Sequence, residues 1–366
     1  MSFKTMRVAR LLAPIVTATV LVAACGSGSS GGGSGTSGDI SGQLVFSLYP
    51  GVFQDNYVKA VVQPFLTQHP KIAISYVEAR TSATSLAALR ADKANPTVDV
   101  SLLDLSVART ANKEGIFAAL DPAAVSNLNE LQPAARISGD YGAAVTFDSL
   151  SLMYNKDQTP QAPTSWNSLW EDPAANGKIA IIGPPDLTST VGLTVVINKM
   201  QGGDYTKSVD QGIAKLKQLA PRVETWNPQP DPYSLVQSGQ AAYGVGWNAR
   251  AQLFAKQSGG KMATVLPAEG SIEQVNTLNL VKNAPDPAAA QAFINYALSA
   301  DAQAAFSALM PYAPTNSKTK LPADVLATVP AADPAQADKV IALDWNVVAP
   351  QLSTWANRLK TEVIGG

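Results

Sequence analysis

From residue 43 the chain alternates between short apolar runs and longer segments of helical periodicity, and this alternation constrains the fold more than any other feature. Gln43 to Leu48 reads as a buried strand. Asn56 to Gln68 sets Val58, Val61, Val62, Phe65 and Leu66 at helical spacing, and Lys71 to Val77 is strand again. Ser82 to Lys93 reads as helix, Val98 to Leu103 as strand, and Ser106 to Glu114 as a helix stopped by Gly115. That β-α-β-α-β-α order predicts a mostly parallel sheet with helices on both faces. A second α/β unit starts near residue 148. Its strands are Leu150–Tyr154, Lys178–Ile182, Ala241–Val245 and Val275–Val281, and its helices are Thr188–Met200, Val209–Ala220 and Asn248–Gln257. Pro287–Leu298 and Ala302–Leu309 read as helices, and 317–335, with Pro322, Pro330 and Pro334, as loop. Helical segments are expected near 338–346 and 350–362. A closed barrel would need eight regular β-α units, and residues 120–150 and 311–337 break that regularity. The pattern favours two α/β lobes.

The N-terminal segment has a different composition. Lys4, Arg7 and Arg10 precede an apolar run, Leu11 to Ala24, shorter than the roughly 20 residues a bilayer span requires. It reads as a signal peptide. Val22-Ala23-Ala24-Cys25 resembles a bacterial lipobox, with cleavage before Cys25 and lipid on its sulfur; Val22 stands where leucine is usual. Cys25 is the single cysteine, so an internal disulfide is excluded. Gly26 to Gly38 contains only Gly, Ser and Thr and reads as a flexible tether. Taking Lys4, Arg7 and Arg10 from the 27 cations leaves 24 against 28 acids. This balance gives no basic excess for nucleic acid to meet.

The same inventory limits catalysis. His69 is the only histidine, at a predicted helix end before Pro70. Zinc sites and Ser-His or Cys-His dyads therefore lack partners, and no metal or cofactor is expected. No phosphate-binding or dinucleotide glycine motif stands between a strand and a helix. What remains for an enzyme is a carboxylate-dependent hydrolase built on Asp99, Asp104 and Asp186, none of which the sequence fixes as a pair.

Several phrases occur in family order. They are Val98-Asp99-Val100 leading to Lys113-Glu114-Gly115, Pro163-Thr-Ser-Trp-Asn-Ser-Leu-Trp170, Gly177-Lys178-Ile179, Gly239-Gln-Ala-Ala, Trp247-Asn248, Pro267-Ala-Glu-Gly270 and Tyr312-Ala-Pro-Thr-Asn316. Together they resemble the polyamine-type family of bacterial solute-binding proteins. The resemblance implies a two-lobed α/β fold of the periplasmic-binding-protein type (type II), with two hinge strands near Ala143–Phe147 and Val275–Leu280. Lobe 1 would comprise 40–145 and 277–315, and lobe 2 would comprise 146–276 and 316–366. It also implies a monomer that captures a small solute between the lobes and delivers it to the permease and ATPase of an ABC importer, outside the cytoplasm, held to the membrane by its lipid.

The resemblance places Tyr49, Asp104, Trp247 and Tyr312 in the cleft. It also shows departures. The hinge position where polyamine binders carry a carboxylate falls on Asn276, and the tryptophan two places earlier falls on Gln274. The acids expected after the Gly-Lys-Ile strand fall on hydroxyl and apolar residues. Thr188, Ser189 and Thr190 at a helix start would suit an anion instead, with helix capping as the plain alternative. Arg80 and Arg250 are further anion contacts. An organic ligand with an anionic or zwitterionic end is expected, with polyamine as the alternative. An iron-binding relative is disfavoured because no Tyr-Tyr pair occurs. Trp226, Tyr233 and Trp247 keep a stacked sugar open.

Overall fold

The computed structural model describes residues 40–365 apart from 185–186, 334–335, 337–338 and 342, and the side chains of 187 and 188 also lie outside the description. The signal segment, Cys25, the tether and Asp186 are therefore outside the described residues.

Among these, twelve strands are formed: β1 Gly42–Leu48, β2 Ile72–Glu78, β3 Val100–Asp104, β4 Phe117–Ala118, β5 Ala143–Asn155, β6 Ile179–Ile181, β7 Val223–Thr225, β8 Tyr243–Trp247, β9 Met262–Val265, β10 Ser271–Val281, β11 Ala313–Pro314 and β12 Val340–Ile341. The main path runs β2-β1-β3-β10-β5-β8-β6-β7. Parallel pairing joins β1 to β2 and β3, and β6 to β7 and β8. The expectation of a mostly parallel sheet holds at both ends of this path. It fails in the middle, where β5 and β10 run antiparallel to each other and to their outer neighbours.

β5 is the long element of the fold, and all of its residues are buried. Ala143 to Ser149 pair with β10, while Leu150 to Tyr154 pair with β8 and Leu152 to Asn155 with β9. β10 changes partners similarly: Asn276–Leu280 pair with β3, and Ser271–Ile272 with β12. The side chains follow the ladders. One apolar cluster gathers Phe46, Phe53, Tyr57, Phe65, Leu102, Phe293 and Phe306. A second gathers Leu152, Trp166, Ile181, Val195, Ile213, Trp345 and Trp355. A third, small one holds Met153, Tyr233, Val236 and Ala251. Each large apolar side chain fully removed from water contributes about 1.5–3 kcal/mol.

Two sequence expectations need correction. The first helix begins at Val52, not Asn56, and runs through a π-helical turn at Val58–Val62 to Gln68. Gly51, at φ 72°, makes the preceding turn, and the earlier start lets Phe53 stack on Tyr57 at 5.6 Å. Near the C-terminus, the described residues of 338–344 do not form the expected helix. Val340 and Ile341 pair with β10, and one helix, Trp345–Arg358, then continues through Pro350. Its start is set by Asp344, whose carboxylate accepts the Asn346 N–H at 2.9 Å.

Asp99 ties distant parts of the first cluster together. It is fully buried, and its two oxygens accept the N–H of Val45 at 2.8 Å and of Asp286 at 2.7 Å. Asp99→Ala leaves both donors unpaired inside the protein. It is expected to lower unfolding free energy by about 2–5 kcal/mol, read as a reduced urea midpoint. An unchanged midpoint would contradict this role.

Candidate functional site

Ligands of open α/β sheets sit beyond the carboxyl ends of strands, where the chain leaves the ladder and backbone and side chains become available. Three such ends meet here. Tyr49 follows β1, Asp104 ends β3 and Trp247 ends β8. Around them lies a cleft of about 370 Å³, open to solvent. Tyr49, Phe53 and Tyr312 form one wall and pack into the first apolar cluster. Trp247 and Leu352, packed on the second cluster, and Tyr233 of the third form the other.

Each aromatic is held from behind. Tyr312 lies parallel to Phe306 at 5.6 Å and edge-on to Phe53 at 5.7 Å. Its hydroxyl makes no hydrogen bond among the described residues. Burial, with the nearby Asp148 carboxyl, pushes that phenol well above its usual range, so it stays a donor. The Tyr49 hydroxyl lies 2.6 Å from the Ser82 hydroxyl, which also accepts the Asp104 N–H at 2.9 Å. Burial, then Asp104, raises the Tyr49 phenol as well. The Trp247 backbone N–H donates to the Tyr233 hydroxyl at 2.8 Å, fixing the main chain where strand becomes helix.

The cleft carries both signs of charge. Arg80 reaches it from the loop after β2, and Arg250 from the first turn of the helix Asn248–Gln257. The Arg250 guanidinium lies 5.7 Å from the Tyr233 ring centre, within cation–π range. Neither arginine forms an ion pair among the described residues. Asp104 stands at the N-cap position of its helix without capping it. Its carboxylate instead accepts the Gln274 side-chain amide at 2.8 Å. Asp231, also at the cleft, caps the helix Pro232–Ser238 through the Ser234 N–H at 2.7 Å.

Beneath the cleft lies Asp148, 2% exposed, on β5 where that strand is about to change partners. Its carboxyl accepts the Ser149 N–H at 2.8 Å and the Ala249 N–H at 3.1 Å, so it binds the hinge strand to the helix that carries Arg250. Burial pushes its pKa up to about 8, against the lowering effects of those two N–H groups and Arg250.

Of the residues singled out by sequence, Tyr49, Arg80, Asp104, Trp247, Arg250 and Tyr312 border this one cleft. Of the hydroxyl cluster, Ser189 and Thr190 do not border it. Ser189 and Thr190 are buried, and Thr190 donates to the Ile182 carbonyl at 2.7 Å, back onto the end of β6. The Thr188 side chain lies outside the description. Asn276 is also covered, 1% exposed, with its amide nitrogen on the Thr146 hydroxyl at 2.9 Å. Trp226 packs against the second cluster, away from the cleft. The sequence reading missed Phe53, Asp148 and Asp231. Asp231-Pro232 carried a helix-start signature that was available, whereas nothing local marks Asp148. Asp99, one of the acids weighed for hydrolysis, is committed to backbone N–H groups. Among the described residues no group of three or more His, Cys, Asp and Glu side chains is placed to hold a metal ion.

Residues 60–335 match the family model of bacterial extracellular solute-binding proteins. The chain is 29% identical over 242 residues to a γ-aminobutyric-acid-binding protein of Pseudomonas aeruginosa, covering 63% of this chain and 66% of that one. It is 26% identical over 197 residues to the spermidine/putrescine-binding periplasmic protein of Escherichia coli, covering 52% and 55%. The chain thus spans between about half and two thirds of the length of these relatives. Its fold matches the crystal structure of an ABC transporter protein from Clostridium perfringens with a TM-score of 0.68 at 25% identity, covering 87% of this chain and 99% of that one.

The Asp148 geometry has a consequence for stability. An unfolded aspartate titrates near 3.9, whereas the folded one keeps its proton up to about 8. Between these values the folded state binds more protons than the unfolded one, so this group's contribution is lost as pH rises. Asp148→Asn, which cannot ionise, should melt close to the parent at pH 4 and above it at pH 9, measured by thermal denaturation. A melting difference that does not change with pH would refute the assignment.

Proposed function

Because the chain belongs to the family of bacterial extracellular solute-binding proteins, a family of binding proteins and not of enzymes, we propose that its cleft captures a small zwitterion bearing an amine and a carboxylate, and passes it to an ABC importer. The observation that carries this reading is the pairing of charges in one cleft: Arg80 and Arg250, without ion-pair partners among the described residues, beside Asp104 held in place by Gln274. A carboxylate lies against guanidinium through charge-assisted hydrogen bonds. An ammonium fits Asp104 and the faces of Tyr49, Tyr312 and Trp247. The name of the Pseudomonas relative supports the same ligand class. A polyamine has no anionic end to offer the arginines and would bring more positive charge to them, which disfavours that alternative.

The lipobox-like Val22 to Cys25 supports attachment of the mature chain by lipid at Cys25, with Gly26 to Gly38 as spacer. The cleft is contained within one chain, which supports action as a monomer.

Calorimetric titration of residues 26–366 with 4-aminobutyrate and with spermidine tests the ligand class. Only the amino acid is expected to bind, and Arg250→Ala is expected to weaken it roughly 10- to 150-fold, the loss of about 1.5–3 kcal/mol. Tight spermidine binding with none of the amino acid would reverse the reading. For the anchor, Cys25→Ser is expected to move the protein from the membrane fraction to the soluble one; unchanged fractionation would count against lipidation.

A further inference from the structure

Asp148 has no place among the groups that touch a ligand, yet several cleft groups converge on it. The helix Asn248–Gln257 is bonded to it through the Ala249 N–H at 3.1 Å, which sets the next residue, Arg250, beside it, and Tyr312 leads into Ala313, which pairs with the adjacent Phe147. Tyr233 and Asp104 stand in the same field, acting on Tyr312. On β10 its register partner is the uncharged Gln274, and the next residue, Glu273, pairs with Ser149 and so points to the opposite face. Arg250 is therefore the one cation acting on this carboxyl among the described residues. The two form no ion pair there, although a buried carboxylate and a guanidinium attract strongly in a low-dielectric setting.

We propose that Asp148 is a proton-linked positioning residue for the anionic end of the site: as a neutral acid it leaves the charge of Arg250 to the ligand, and as a carboxylate it draws that charge back. This inference rests on the zwitterion reading above. When a ligand carboxylate settles against Arg250, it adds negative charge near Asp148. The ionised form of Asp148 becomes less favourable, and it takes one proton from water. Binding and protonation then favour each other, as linkage requires. The burial of Asp148 and its raised pKa place this exchange in a neutral to mildly alkaline range. Glu273, pushed up to about 7 by burial, titrates nearby. It faces away from Arg250, so its titration is not part of the linkage.

The test is calorimetric titration with 4-aminobutyrate at pH 6.5 to 9, in phosphate and in Tris, whose ionisation heats differ. For the parent protein the dissociation constant is expected to rise severalfold, up to about tenfold, across this range. The heats in the two buffers should differ in the sense of proton uptake near pH 8. Asp148→Asn is expected to bind with little dependence on pH, and Glu273→Gln to keep the parental dependence. If Asp148→Asn does not fold, the two-buffer comparison on the parent decides alone. Affinity independent of pH without proton uptake in the parent overturns the inference and leaves the zwitterion reading standing. So does a parental pH dependence that Asp148→Asn retains or Glu273→Gln removes. No binding of 4-aminobutyrate at any pH overturns both.

Discussion

The antiparallel ladder between β5 and β10 is the constraint on which the rest of the molecule depends. β5 gives one part of its length to β10 and the other to β8 and β9, while β10 pairs with β3 over Asn276–Leu280 and with β12 at Ser271–Ile272. A strand that leaves one sheet for another must satisfy its backbone N–H and C=O groups in both. Here it does so with one register shift, between Asn276 and Thr277, and all of β5 is buried. The price is a polar seam at the junction: Asp148, Ser149, Asn276, Thr277 and Asn279 are all nearly inaccessible to solvent. Thr277 and Asn279 turn their side chains onto the carbonyls of Leu103 and Ser101. That commits the neighbouring strand and fixes where Asp104 emerges.

The cleft lies over this seam, and its composition follows from its position. The ends of β1, β3 and β8 deliver one side chain each, and the apolar clusters behind them hold the rings in place. Phe306 and Phe53 brace Tyr312, while Tyr233 holds the Trp247 backbone. Such bracing limits the ordering that a ligand must impose on binding. The charged groups are placed differently. Arg80 and Arg250 stand on a loop and a helix start, and neither forms an ion pair among the described residues.

Much of this architecture was legible in the chain. The β-α alternation located seven of the twelve strands, β1, β2, β3, β5, β6, β8 and β10, within a few residues, because buried strands and amphipathic helices impose periods of 2 and 3.6 on side chains; the short β4, β7, β9, β11 and β12 were missed. Strand ends could be read as well, and with them the neighbourhoods of Tyr49, Asp104 and Trp247. The reading failed where local pattern and long-range pairing disagree. Val340 and Ile341 look like part of a helical stretch but pair with β10, nearly seventy positions away in sequence. Ser189 and Thr190 look like an anion site, yet Thr190 spends its hydroxyl on a carbonyl of the preceding strand.

The sequence by itself determined the order of elements, the apolar faces that form the cores, the absence of partners for histidine or cysteine catalysis, and the residue types available at strand ends. These are local properties, set by side-chain volume, periodicity and composition. Only the tertiary structure decided that Asp148 lies under Arg250, that Gln274 reaches Asp104 across 170 positions, and that Asn276 is covered while its neighbour two residues away borders the cleft. Such facts depend on strand register and on which helix packs over which strand. Register is a collective property of the whole sheet, and no short window of sequence contains it.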